Sequence, residues 1–206
     1  MTTTFASGTR ILTALGEISV EALREGNAVE TVTGAFRPVV FLGRRRVDCG
    51  RHPTPRDVWP VRVRAAAFAD DVPHRDLLLS PDHAIYVDDV LIPVRHLMNG
   101  ATIVQEAADE IVYWHVELPE HAVIFAEGLP CESYPDADGR AAFENGGKVM
   151  QLHPRFTARV WLSEDFAQPG ATGDRLTAIR RYLLDRAGGQ RLGLTVGTAR
   201  ESVVPG

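Results

Sequence analysis

Leu77-Leu-Leu-Ser-Pro-Asp-His-Ala-Ile-Tyr86 is the stretch on which the reading of this chain turns. An apolar run ends at Ser80, Pro81-Asp82 supply turn chemistry, and the chain re-enters a strand after His83. Pro presets the φ of a turn, and Asp hydrogen-bonds the backbone just ahead of it. The bend therefore places a hydroxyl and an imidazole three residues apart, where both can aim at one carbonyl. The hydroxyl and nearby amides can hold a developing oxyanion, while the imidazole protonates a leaving nitrogen. The plainer reading is a Ser80-capped turn with His83 on the surface. This segment alone leaves both readings open.

Working outward, the first ~145 residues read as short strands, at 10–13, 28–33, 38–42, 58–64, 77–79, 84–87, 90–92, 111–116 and 122–125. Turn signals separate them: Gly16, Gly34, Gly43, Pro73, Asp88-Asp89, Asn99-Gly100 and Gly128. Many short strands at close spacing predict a mainly β domain, with a tight hairpin at Asp88-Asp89. Short helical turns are expected at 20–24 and 94–97. Character changes after Gly146-Gly147, so the organisation expected is a β domain over 1–147 and a C-terminal appendage over 148–206. In the appendage, 158–162 reads as a strand. Residues 174–187 read as a helix, capped by Asp174, striped by Leu176, Ile179 and Leu183, and ended by Gly188-Gly189.

Composition agrees. The 206 residues are 45% hydrophobic and 24% charged, with 18 Gly and 13 Pro, which suits turns and short strands better than long helices. The net charge is -5, with no global basic bias toward nucleic acid. No apolar run approaches the roughly 18–20 residues of a membrane span, and the N-terminus lacks a secretory signal. A cytoplasmic location is the default, with non-classical export left open. Cys49 and Cys131 make neither a disulfide framework nor a zinc spacing.

Two further blocks stand out. Thr4-Phe-Ala-Ser-Gly-Thr-Arg-Ile11 precedes Gly16-Glu-Ile-Ser-Val-Glu-Ala-Leu-Arg-Glu-Gly-Asn-Ala-Val29. Later comes Val112-Tyr-Trp-His-Val-Glu-Leu-Pro-Glu-His-Ala-Val-Ile-Phe-Ala-Glu-Gly-Leu-Pro-Cys131. Together with the Ser80 bend, within a run from Arg44 to Gly100, these blocks resemble the Hint superfamily, the autoprocessing fold of inteins and Hedgehog C-terminal domains. More narrowly, the chain is similar to bacterial Hint-domain proteins, over about residues 4–147.

The resemblance implies an all-β horseshoe with pseudo-twofold halves. It also implies a nucleophile at the domain's first residue, which attacks the carbonyl just upstream. The resemblance puts Thr4 in that place, where Cys is usual. Ser80-Pro81-Asp82-His83 matches the family's Thr-x-x-His block, with Ser80 and His83 as the assisting residues, and His121 is expected near the site. The implied partners are an upstream passenger in cis and a small acceptor, water or thiol. Only Met1-Thr2-Thr3 precede Thr4 in this sequence, so cleavage here would release a tripeptide. Glu132-Ser133 stand where an intein has His-Asn, so splicing is not expected. A hydroxyl is less ionised and less nucleophilic than a thiol of pKa about 8.5, and this copy is expected to be weak or silent.

The remaining candidates read as structural. His52, His74, His96 and His115 lack metal-ligand spacing, and no cofactor or metal is expected. Asp82 reads as a turn residue, Cys131 as a small buried apolar residue, and the Arg surplus over 44–64 as a solvated strand face. Three functions remain: a self-cleaving domain, a catalytically silent binding or carrier module, and a trans-acting hydrolase built on Ser80 and His83.

Overall fold

The computed structural model describes residues 3–133, 139–146 and 173–189. Fourteen strands are formed in these segments. They are β1 (Phe5–Ala6), β2 (Arg10–Thr13), β3 (Gly16–Ser19), β4 (Ala28–Glu30), β5 (Phe36–Pro38), β6 (Phe41–Asp48) and β7 (Val61–Val63). After these come β8 (Leu77–Leu79), β9 (Ala84–Val87), β10 (Val90–Pro93), β11 (Ile103–Gln105), β12 (Glu110–Glu117), β13 (Ala122–Ala126) and β14 (Leu129–Ser133). One sheet runs β11-β7-β8-β1-β12-β6. The other runs β10-β9-β14-β13-β2-β4-β5, with β3 paired to β2. Every pairing is antiparallel.

Turn chemistry sets the hairpins. Asp88 and Asp89 have φ of 50° and 59°, the left-handed pair that a two-residue hairpin turn needs. Glu127 and Gly128, with φ of 50° and 78°, turn β13 into β14 in the same way. The expected helical turn at 94–97 is a 3-10 turn, Val94–Leu97. Expected strand 38–42 is instead divided between β5 and β6. Strand 58–64 shortens to β7 behind a 3-10 turn at Pro55–Asp57.

One apolar cluster joins both sheets, including Phe5, Ile11, Leu79, Ile85, Val116 and Ile124. The helix α1 (Gly173–Ala187) adds Ile179, Tyr182 and Leu183 to that same cluster. Tyr182 Oη donates to the Phe68 carbonyl at 2.8 Å, and Arg175 pairs with Asp88 at 2.8 Å. The stripe expected at Leu176, Ile179 and Leu183 thus faces the β core, with Leu176 partly buried against it. The strand expected at 158–162 lies outside the described residues. No described helix is long and apolar enough to cross a membrane.

Candidate functional site

The site is built by the shortest strand. β1 lies between β8 and β12, with Phe5 opposite Leu79 on one side and Trp114 on the other. That register carries the chain just upstream of Phe5 past Ser80 and His115. Ser80 N–H donates to the Thr4 carbonyl at 3.0 Å, and Thr4 N–H donates to Ser80 Oγ at 3.1 Å. On the other flank, His115 Nδ1 lies 2.9 Å from the Thr3 carbonyl oxygen. One peptide bond, Thr3–Thr4, therefore has its nitrogen held by Ser80 and its oxygen held by His115. Thr4 is 4% exposed and Ser80 8%, while Thr3 is partly exposed, so the nitrogen side of this bond is buried and its acyl side is reached from outside.

His83 reaches the site from the predicted bend. His83 N–H donates to the Ser80 carbonyl at 3.0 Å and closes the turn. Asp82 serves that turn as expected and pairs with Arg95. The fully buried His83 ring lies edge-on to Phe5, with centroids 4.4 Å apart. Its Nδ1 is 3.0 Å from the Thr4 carbonyl oxygen and its Nε2 is 3.0 Å from the Glu132 carbonyl oxygen. Both oxygens only accept, so a neutral ring serves one of them and a protonated ring serves both. Burial dominates and pushes the His83 imidazole below its ordinary range, against the pull of the two carbonyls and of the Glu132 charge. His83 thus touches the carbonyl of the nucleophile position rather than the Thr3–Thr4 nitrogen that the bend suggested.

His121 is one link further out. Its Nε2 pairs with Glu132 Oε1 at 2.9 Å, and the Glu132 carbonyl is the group that faces His83. The structure therefore joins Thr4, Ser80, His83 and His121 in one contiguous network through the backbone and carboxylate of Glu132. Cys131 stays outside it: it is fully buried in β14 opposite Ile124 and Ile85, and burial pushes its thiol up. A cleft of about 190 Å³ opens onto Thr4 and Ser80, with Arg45, His52, Asp57 and Tyr113 on its walls. Four of the seven Arg residues over 44–64 are paired with acids. Arg44 pairs with Glu144, Arg46 with Glu110, Arg51 with Asp48, and Arg62 with Glu106 and Asp76.

His115 is the residue that sequence reasoning passed over. It lies in β12 directly opposite Gly43 in β6. The Phe143 ring covers that pair, stacked on His115 at 5.3 Å and 17°. A Cβ on Gly43 would come within 2.7 Å of the Phe143 ring, so only glycine leaves room for this cover. The Thr3 oxygen only accepts, so Nδ1 carries the hydrogen of this contact. The ring's Nε2 is buried and has no hydrogen-bond partner among the described residues. The ring's polar purpose is spent wholly on the Thr3 carbonyl. The local sequence carries no sign of this, because the contact depends on β1 lying beside β12.

These features define an autoprocessing-type β domain, in which the chain's own N-terminal peptide is threaded through a buried polar site. The chain belongs to the Hint domain family, whose model matches residues 3–138. Among solved structures, a bacterial intein-like domain from Clostridium thermocellum matches with a TM-score of 0.50 and 18% identity, over 65% of this chain and 99% of that one. The gp41-1 intein matches with a TM-score of 0.47 and 12% identity, over 64% of this chain and 98% of that one. A DnaB intein from Synechocystis sp. PCC 6803 matches with a TM-score of 0.45 and 9% identity, over 64% of this chain and 99% of that one. No curated protein matches by sequence.

Proposed function

We propose that this chain is a self-cleaving Hint domain whose scissile bond is Thr3–Thr4, cleaved by an acyl shift without splicing. One observation carries the reading: both polar atoms of that peptide bond are engaged by side chains, His115 on the oxygen and Ser80 on the nitrogen. Thr4 Oγ1 attacks the Thr3 carbonyl carbon, and the electron pair moves onto the Thr3 oxygen, held by His115 Nδ1–H. Ser80 Oγ, the hydrogen-bond partner of the Thr4 nitrogen, takes the Oγ1 proton as it gives its own to that nitrogen, so the proton count closes. The C–N bond breaks, leaving an ester at Thr4 Oγ1 and a free Thr4 α-amine. Water or a thiol entering from the cleft then takes the acyl group and restores the hydroxyl. His83 and His121 act as positioning residues, the first on the Thr4 carbonyl and the second through Glu132. Glu132-Ser133 offer no side-chain amide to cyclise, so the reaction stops at cleavage.

The rival reading is a catalytically silent Hint module that binds or carries a partner. The hydroxyl at position 4 favours it, since a thiol is the stronger nucleophile. One experiment separates the two. A folded passenger is fused directly before Thr3, with Thr4 or Thr4→Cys, each with and without His115→Phe, and intact mass is followed with and without added thiol. A mass break between residues 3 and 4 that His115→Phe suppresses supports self-cleavage. A Thr4→Cys fusion that stays whole in thiol supports the silent module.

A further inference from the structure

A second polar cluster lies at the opposite end of β8 from Ser80. Glu17 comes from β3, His74 from the segment before β8, and Glu127 from the β13–β14 turn. His74 Nε2 is 3.2 Å from Glu17 Oε1 and 3.1 Å from Glu127 Oε2. The donor atoms of all three lie within 4.8 Å of one another. Glu127 is only 1% exposed. Its Oε1 accepts the Arg10 N–H at 2.8 Å, which fixes the carboxylate, while its buried Oε2 has no hydrogen-bond partner among the described residues. The nearest cation described beside that oxygen is Arg75, 3.9 Å away. A buried carboxylate oxygen without a hydrogen bond is costly. Here it faces an imidazole nitrogen that a second carboxylate also approaches, and one N–H cannot serve both well.

The scaffold holds this arrangement in place. His74 N–H donates to the Glu127 carbonyl at 2.9 Å. The His74 ring packs over Gly128, where an added Cβ would come within 3.1 Å of Nδ1. We infer that Glu17, His74 and Glu127 form a binding site for a divalent first-row transition-metal ion, a site not expected from the sequence spacing. One imidazole nitrogen and two carboxylate oxygens form a donor set suited to zinc and its neighbours, and the two carboxylates balance the charge of the ion. At metal–ligand distances of about 2.0–2.2 Å, adjacent donors in an octahedral or tetrahedral shell sit roughly 2.8–3.6 Å apart. The two His74 contacts, 3.2 and 3.1 Å, fall within that interval. Glu17 and His74 are each partly open to solvent, which gives the ion an entry path and leaves water to complete its shell. The ion would tie the β2–β3 hairpin to the β13–β14 turn and to the approach to β8.

The test uses the full chain, without a histidine tag and stripped with chelator, titrated calorimetrically with zinc chloride. One zinc per chain is expected. Glu17→Gln and His74→Gln should each weaken binding at least tenfold, and zinc should raise the thermal midpoint of the parent but not of either variant. His52→Gln should bind as the parent does. Glu127→Gln also removes the charge that caps the Arg10 amide, so the half-exposed Glu17→Gln is the decisive variant. Absence of binding by the parent, or binding undiminished in both Glu17→Gln and His74→Gln, would overturn the assignment. The cluster would then be a histidine shared between two carboxylates.

Discussion

His115→Phe separates catalysis from stability more cleanly than any other change to this site. The phenyl ring fits the imidazole's place and keeps the stack on Phe143. It removes one hydrogen bond to the Thr3 carbonyl, worth about 0.5–1.5 kcal/mol net. It also removes a buried nitrogen that has no partner among the described residues, the kind of group that costs roughly 1–3 kcal/mol. The two effects oppose each other, so the net change lies between about 0.5 kcal/mol of destabilisation and about 2.5 kcal/mol of stabilisation. For a chain of this size each kcal/mol is about 2–4 °C in the thermal midpoint. The barrier behaves otherwise. In the proposed acyl shift, negative charge would appear on the Thr3 oxygen only as the reaction proceeds, and deleting one preorganised donor to such an oxygen costs about 10²–10³ in rate. In the passenger fusion carrying Thr4→Cys, thiol-induced cleavage followed by intact mass should slow by that factor, and His115→Gln should restore part of it by supplying an amide donor. Cleavage of the His115→Phe variant within threefold of its parent, with the fold intact, would refute the role assigned to His115.

Other expectations follow from the same contacts. His83 has a folded-state pKa below the ordinary value near 6.5, so between the two values the unfolded chain binds the extra proton. Stability from this group is therefore complete above about 6.5 and is lost as pH falls through the folded value; urea unfolding at stepped pH should show it, and a stability that rises on acidification through this window would contradict it. Gly43→Ala drives a Cβ into the Phe143 ring and should destabilise by about 1–3 kcal/mol, an effect that largely vanishes in a Phe143→Ala background when both are measured by chemical denaturation. Leu183→Ala should cost about 2–5 kcal/mol if the helix shares the β core, and a loss under 1 kcal/mol would show that it does not. Cys49 and Cys131 are both buried with their thiols pushed up, so iodoacetamide should label neither in the native chain and both after unfolding, as counted by mass.

The strands that sequence periodicity located are those whose apolar residues face the core on their own account: β2, β8 and β9 fall on their expected bounds. The strands it passed over are held by neighbours. β1 is two residues long and owes its form to β8 and β12 on either side. β6 runs on past its expected end at Leu42; its Arg44-Arg45-Arg46 run, read as a solvated strand face, is held in a full ladder by β12 and sends Arg44 and Arg46 to Glu144 and Glu110. β14 contains Pro130, a residue normally confined to edge strands, although β14 lies between β9 and β13. The site divides along the same line. The Ser80–His83 bend is a local feature and was legible as one. The His115 contact with Thr3 and the meeting of Glu17, His74 and Glu127 depend on register between segments far apart in sequence, and no local pattern encodes them.

That register also bears on which reaction the site suits. A trans-acting hydrolase on Ser80 and His83 would have to present its hydroxyl to an outside ester. Here Ser80 Oγ accepts from Thr4 N–H, and the His83 ring is clamped between the Thr4 and Glu132 carbonyls. The chain's own backbone thus engages both groups. An intramolecular substrate suits a weak nucleophile, because holding the reacting groups together in one segment is worth effective molarities of about 10⁵–10⁸ M when the geometry is right. Strand pairing on both flanks of β1 supplies that constraint without any binding step. A hydroxyl at position 4 lowers the chemical reactivity of the site but leaves this positional advantage whole. Thr4→Cys should therefore raise the cleavage rate with no change in the pairing of β1. If Thr4→Cys instead required loosening of β1, seen as faster amide exchange at Phe5 and Ala6, the strand would be an obstacle to the reaction and not its scaffold.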